Sequence, residues 1–137
     1  MNFAIEDSAE QSKFRAEVRA FLEHNVPPNI EYYADSCDTP YEQYQLRREL
    51  GRRLGAKGWL YPHMPKEYGG GDLSIDQAAI LHDEMGRIGL PLPPYYDSGG
   101  RMSSPCILVW GTPEHKKRFL PPICRGEWRS WQLLTEP

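Results

Sequence analysis

The stretch GEWRSWQLLTEP, residues 126–137, decides how the chain is read, because it holds the one segment that follows no helical pattern. Trp131, Gln132, Leu133 and Leu134 combine an aromatic ring with long side chains, contain no breaker, and read as a β-strand. Thr135, Glu136 and Pro137 then supply a hydroxyl, a carboxylate and a stop. A single strand cannot satisfy its own backbone groups, so it is expected either to be solvated and disordered or to need a neighbour to pair with. The expected fold is all-α, with this one unsatisfied terminal strand.

Working back from that strand, every earlier segment carries helix punctuation. Thr112 followed by Pro113 is a cap-and-start signal for a helix reaching about Leu120, where Pro121 and Pro122 are expected to end it. A shorter helix is expected from Ser103 or Ser104 to Trp110, with Pro105 in its first turn and Gly111 as terminator. Residues 95–101, with two glycines, read as a hinge-like loop. Ser74 stands three residues before Gln77 and forms a capping box for a helix from Ile75 to Arg87. Its expected inward stripe is Ile75, Ala78, Ala79, His82, Met85 and Ile88.

Nearer the amino terminus, Tyr41 to Lys57 reads as a helix closed by Gly58, with Tyr44, Leu50 and Leu54 inward. Arg47, Arg48, Arg52 and Arg53 fit either a phosphate site or the wet side of this helix, and the wet side is the reading adopted. The first helix spans about Ser8 to Asn25, capped by Asp7 or Ser8. Phe14, Val18, Phe21 and Leu22 form its stripe, and Pro27 and Pro28 forbid its continuation.

Length and charge bound the function. A chain of 137 residues fits one domain with a real core, and a net charge of −3 with interleaved signs gives no reason to expect nucleic acid. No apolar run is long enough to span a bilayer. Three cysteines at irregular spacing, Cys37, Cys106 and Cys124, suggest a reduced, cytoplasmic setting. The histidines His24, His63, His82 and His115 fall in separate segments, so no metal site is expected, and His82 reads as a structural, partly exposed histidine. Ser130 and Thr135 have no identifiable base, and the adjacent carboxylates Asp83 and Glu84 do not face each other on a helix. The glycine-rich run at residues 69–71 lacks the lysine and hydroxyl of a nucleotide loop and reads as a turn. No catalytic residue is assigned.

Several motifs nevertheless stand in a recognisable order. These are GWLYPHMPKEYGGG (residues 58–71), LHDEMG (81–86), GTPEHKKRFLP (111–121), Gly126-Glu127-Trp128, and Leu134-Thr135-Glu136-Pro137. Together they resemble the amino-terminal part of the acyl-CoA dehydrogenase family, over essentially the whole chain. The resemblance implies a helical domain at residues 1–126, followed at 127–137 by the first strand of a truncated middle β-domain.

It also implies FAD as cofactor and an acyl-CoA thioester as substrate. In the family a carboxylate base removes the α-proton while the β-hydride passes to the flavin, and an electron-transferring flavoprotein usually reoxidises it. The base belongs to a later domain, so this chain is expected to be an inactive fragment on its own. By the same resemblance Leu134 and Thr135 meet the flavin's polar edge, with Leu133 and Gln132 beside them, and Thr135 alone would otherwise read as a turn or cap residue. Met102, Ile107 and Leu108 become candidates for the acyl pocket wall, alongside ordinary core packing. A homo-oligomer or hetero-oligomer in fatty acid metabolism is expected. The alternatives are a non-catalytic helical subunit of a separate flavoprotein, or a piece of a related flavin oxidase or monooxygenase.

Overall fold

The computed structural model describes residues 6–31, 33 and 38–131. Among these the architecture is helical, with α1 (Ala9–Asn25), α2 (Tyr41–Ala56), a 3₁₀ turn (Lys66–Tyr68), α3 (Ile75–Arg87), α4 (Ser98–Trp110) and α5 (Pro113–Cys124). The expected strand at Gln132 to Leu134 lies outside the described residues.

Two helices start as their sequences demand. Ser8 accepts from the Gln11 amide at 3.2 Å while Gln11 reaches back to the Ser8 amide at 2.8 Å, and Ser74 and Gln77 repeat the reciprocal pair on α3. Val18 and Leu22 carry the buried stripe of α1, and Phe14 and Phe21 flank the Trp59 ring edge-on at centroid distances of 5.7 and 5.1 Å. Leu50 and Leu54 of α2, Leu81 and Met85 of α3, and Leu120 and Ile123 of α5 complete one continuous core with Trp59, Leu60 and Met64 of the apolar loop.

Four expectations need correction. Helix α4 begins at Ser98, not at Ser103 or Ser104, because Asp97 caps it by accepting from the Gly100 amide at 2.9 Å. That buried cap outweighs the entropy of two glycines in the first turn, and Pro105 sits inside the helix rather than opening it. Helix α5 runs through Pro121 and Pro122 to Cys124. A proline removes only the amide that would bond four residues back, and the residues so affected, Lys117 and Arg118, are exposed. The helix stops instead at Gly126, whose φ of 70° suits a left-handed terminator, with the Glu127 amide donating to the Pro122 carbonyl at 2.9 Å.

The stripe on α3 is rotated from the expected one. Ala78, Leu81 and Met85 are buried together with Ile80 and Glu84, while Ile75 and Ala79 face solvent. Finally, Arg47 and Arg48 are not on the wet side of α2, being 5% and 6% exposed. Arg47 donates to the Glu31 carbonyl, and Arg48 donates through Nη2 to the carbonyls of Gly126 and Glu127 at 2.8 and 3.1 Å. Backbone carbonyls near each guanidinium help to make burial tolerable.

Candidate functional site

The apolar loop after α2 is pinned from both sides. The Trp59 amide donates to the Leu54 carbonyl at 2.8 Å, and the Asp72 and Leu73 amides donate to the carbonyls of Met64 and Pro62 at 2.9 and 2.8 Å. With the prolines between α3 and α4, this loop walls a cleft of about 480 Å³. Tyr61, Pro62, His63 and Met64 form one side, Pro91, Leu92 and Pro93 another, and Arg101, Ser104 and Pro105 of α4 close it, with His82 of α3 on the rim.

The polar groups around the cleft are mostly engaged with one another. The Tyr61 hydroxyl donates to Asp97, the Ser104 hydroxyl donates to the Gly100 carbonyl at 2.6 Å, and the Arg101 guanidinium donates to the Leu92 carbonyl. Burial, aided by the Asp97 carboxylate, pushes the Tyr61 phenol well above its ordinary range, so it acts as a donor. Burial lowers the His82 pKa, with Arg101 and His63 adding repulsion, so the neutral imidazole is favoured. Burial also pushes the Cys124 thiol up to about 11, which makes it a poor nucleophile. Apolar walls with satisfied polar groups suit the body of an apolar ligand better than acid–base chemistry.

The proposed pocket wall is placed differently. Met102 is 52% exposed on α4, while Ile107 and Leu108 pack against the core from partly buried positions. None of the three lines this cleft. The signal that sequence reading missed is Asp97: a carboxylate before Ser-Gly-Gly is a cap, and recognising it brings Arg101 and Ser104 onto the helix. Leu133, Leu134, Thr135 and Gln132, the expected cofactor contacts, lie outside the described residues.

The glycine run offers no substitute cradle for a dinucleotide. The Gly69 and Gly70 amides donate to the carbonyls of Lys66 and Pro65 at 2.9 and 3.1 Å, so neither is free to receive a phosphate. This turn is therefore no phosphate site. Among the described residues no group of three histidine, cysteine, aspartate or glutamate side chains converges to hold a metal, and no helix is long and apolar enough to cross a membrane.

A second polar centre joins α1 to α3. Glu84, 3% exposed, accepts from Arg15 Nη1 at 2.8 Å and from Arg19 Nε and Nη2 at 2.7 and 3.0 Å. Arg15 also pairs with Asp7 and Asp83, so the two neighbouring carboxylates of α3 meet on one guanidinium. The Arg19 hydrogen bonds hold the Glu84 pKa below the ordinary carboxylate value against the opposing effect of burial, and Arg15 adds to them. With all its bonds internal, this centre ties two helices together.

Comparison with known proteins places the chain. Residues 8–127 match the family model described as "Acyl-CoA dehydrogenase, N-terminal domain". The acyl-CoA dehydrogenase FadE26 of Mycobacterium tuberculosis is 31% identical over 133 residues, covering 97% of this chain and 32% of the relative. The ChsE4-ChsE5 complex from Mycobacterium tuberculosis superposes with a TM-score of 0.64 at 29% identity, over 93% of this chain and 30% of that one. The Tcur3481-Tcur3483 steroid acyl-CoA dehydrogenase gives a TM-score of 0.65 at 31% identity, over 90% and 31%. The chain thus spans about a third of the length of these relatives. It belongs to the acyl-CoA dehydrogenase family, as an all-helical amino-terminal domain.

Proposed function

We propose that this chain supplies the helical amino-terminal part of an FAD-dependent acyl-CoA dehydrogenase, and that a complete active site requires the later domains of the family. The observation that carries the reading is the family match across residues 8–127 in a chain about one third the length of its relatives. The helical domain would extend to residue 126, and 127–137 would open the β-domain.

FAD, when bound, would accept the hydride from the acyl β-carbon. This chain's part would be one edge of that site: Leu134 and Thr135 would meet the flavin's polar rim, with Leu133 and Gln132 alongside. The chain alone would be inactive, because the family's carboxylate base belongs to a later domain. The apolar cleft beside α4 would receive part of the acyl group, with Met102 available at the helix surface and Ile107 and Leu108 supporting it from the core. The likeness to the Tcur3481-Tcur3483 steroid acyl-CoA dehydrogenase favours a bulky acyl group.

Assembly belongs to the same proposal. Met102, Cys106, Val109 and Trp110 lie at helical spacing along α4 and are exposed, Trp110 by 86%, so this apolar face is suited to a protein partner. The relative solved as a two-component complex favours a hetero-oligomer. Electrons would pass to an electron-transferring flavoprotein, and the setting would be cytoplasmic. Titration of the chain with FAD, followed by flavin fluorescence and absorbance, checks the reading. No tight binding is expected from the chain alone; stoichiometric binding that perturbs the flavin would overturn the incomplete site.

A further inference from the structure

We infer that Arg48 is a positioning residue: together with a track along α2, it sets the course and register of the segment that leads into the proposed flavin edge. The inference rests on the functional reading above for its connection to FAD, and on the structure alone for the track.

Tyr44, Arg48, Gly51 and Gly55 follow one another at spacings of four, three and four, which is a single face of α2. Each meets the chain that leaves α5. A Cβ added at Gly55 would lie 2.6 Å from the carbonyl carbon and oxygen of Arg125, and one added at Gly126 would lie 3.2 Å from the carbonyl of Gly51. Arg48 Nη2 donates to the carbonyls of Gly126 and Glu127. The Arg129 guanidinium then lies 5.2 Å from the Tyr44 ring and 4.1 Å from the Trp131 ring.

The pairing runs in opposite directions: as the chain advances from 125 to 129, its partner on α2 recedes from 55 to 44. Eleven residues of helix cover about 16 Å. From Arg125 to Arg129 the chain first turns at Arg125 and at Gly126, whose φ is 70°, so it covers less than the roughly 13 Å of four extended residues. The long side chains of Arg48 and Arg129 close the difference.

Arg48 is the pivot of this arrangement. Its guanidinium rests 4.7 Å from the Tyr95 ring centroid, and Tyr95 in turn stands on Gly51, where an added Cβ would fall 2.4 Å from the ring. Among the described residues no carboxylate pairs with Arg48, and its Nη1 makes no hydrogen bond. An apolar side chain of similar volume would avoid that desolvation, so the feature this arginine adds is its hold on two successive carbonyls. Gripping two adjacent carbonyls in the turn after α5 adds to the hold of the Pro122 carbonyl on the Glu127 and Trp128 amides, and a slip of one residue there would turn every side chain of an extended continuation to the opposite face. Gln132 begins five residues after Glu127, which leaves little chain in which to recover from such a slip.

The test compares Arg48→Met, which keeps volume and loses both donors, with Arg48→Lys, which keeps charge and donors, and with Tyr44→Leu, which removes only the far end of the track. In two-dimensional NMR of the 137-residue chain, Arg48→Met should shift and broaden the Trp128 and Trp131 indole signals while Trp59 in the core stays in place. Arg48→Lys should restore much of the pattern, and Tyr44→Leu should move Trp131 and spare Trp128. An unchanged Trp131 signal in both Arg48→Met and Tyr44→Leu would overturn the inference, and Tyr44→Leu alone decides it if Arg48→Met fails to fold. With the later domains of the protein present, FAD affinity should fall by about tenfold in Arg48→Met, the factor corresponding to one hydrogen bond's worth of placement. Failure of the unsubstituted protein to bind FAD there would count against the functional reading, and the indole signals would still decide the track.

Discussion

The α1–α3 junction and the α2 track are both built on guanidinium groups, partly exposed in the first and buried in the second, and they engage them in opposite ways. Arg15 and Arg19 meet the carboxylate of Glu84, with Asp7 and Asp83 adding further charge. Among the described residues Arg48 meets carbonyls and a ring. The first junction is a pairing of titratable charges and should respond to acid; in the second the one carboxylate, that of Glu127, is half exposed and pairs with Arg125 rather than Arg48, so the response should be weaker. One holds two helices against each other, whereas the other guides the segment that leaves α5 along a helix.

The largest effect is expected where the track's backbone contact is blocked. Gly55→Ala would drive a methyl group into the Arg125 carbonyl, and relief requires α2 and the end of α5 to part, at a cost of about 2–3 kcal/mol. Urea unfolding would measure it, and a change below a few tenths would mean the backbones are not in contact. Glu84→Gln should cost somewhat less, about 2 kcal/mol, because partly exposed Arg15 and Arg19 recover water when the carboxylate is lost.

The same substitution sharpens the acid response. Glu84 has a folded pKa lowered from its ordinary 4.5, so its contribution is complete above that value and is lost as pH falls through the lower, folded one. Glu84→Gln should remove this leg of the stability profile. The smallest effect belongs to His82, whose folded pKa lies below its ordinary 6.5. As pH falls below 6.5 the unfolded chain takes up the proton first, so stability declines until the folded pKa is reached. His82→Gln should flatten that shallow leg, and thermal denaturation across pH 5 to 7 would reveal it, on the order of a few tenths of a kcal/mol.

Much of the helical framework was legible because its signals are local. The Ser8–Gln11 and Ser74–Gln77 boxes, Gly58 and Gly111 each act through neighbours within four residues, and each marks an observed end. Asp97 and the proline pair misled because their outcome depends on distant groups: Tyr61 donates to Asp97 from 36 residues away. Arg47 and Arg48 misled for the same reason. Charge on a helix suggests solvent, and nothing near them in sequence reveals that the carbonyls of Gly126 and Glu127, nearly eighty residues on, would receive one of them. The cleft was half legible, since the apolar loop stood out while Arg101 and Ser104 joined it only through the earlier start of α4. The proposed flavin edge rests on the family resemblance, because backbone groups leave little trace in side-chain type.

The α2 track also bears on how such domains exchange during evolution. Recombination that swapped the helical domain at the end of α5 would bring in a foreign segment where Arg48 expects two carbonyls and Tyr44 an arginine. The heritable module is therefore longer than the helices themselves, extending at least through Trp131. Viable chimaeras between relatives should have their crossovers beyond that point, or should replace α2 and the segment together.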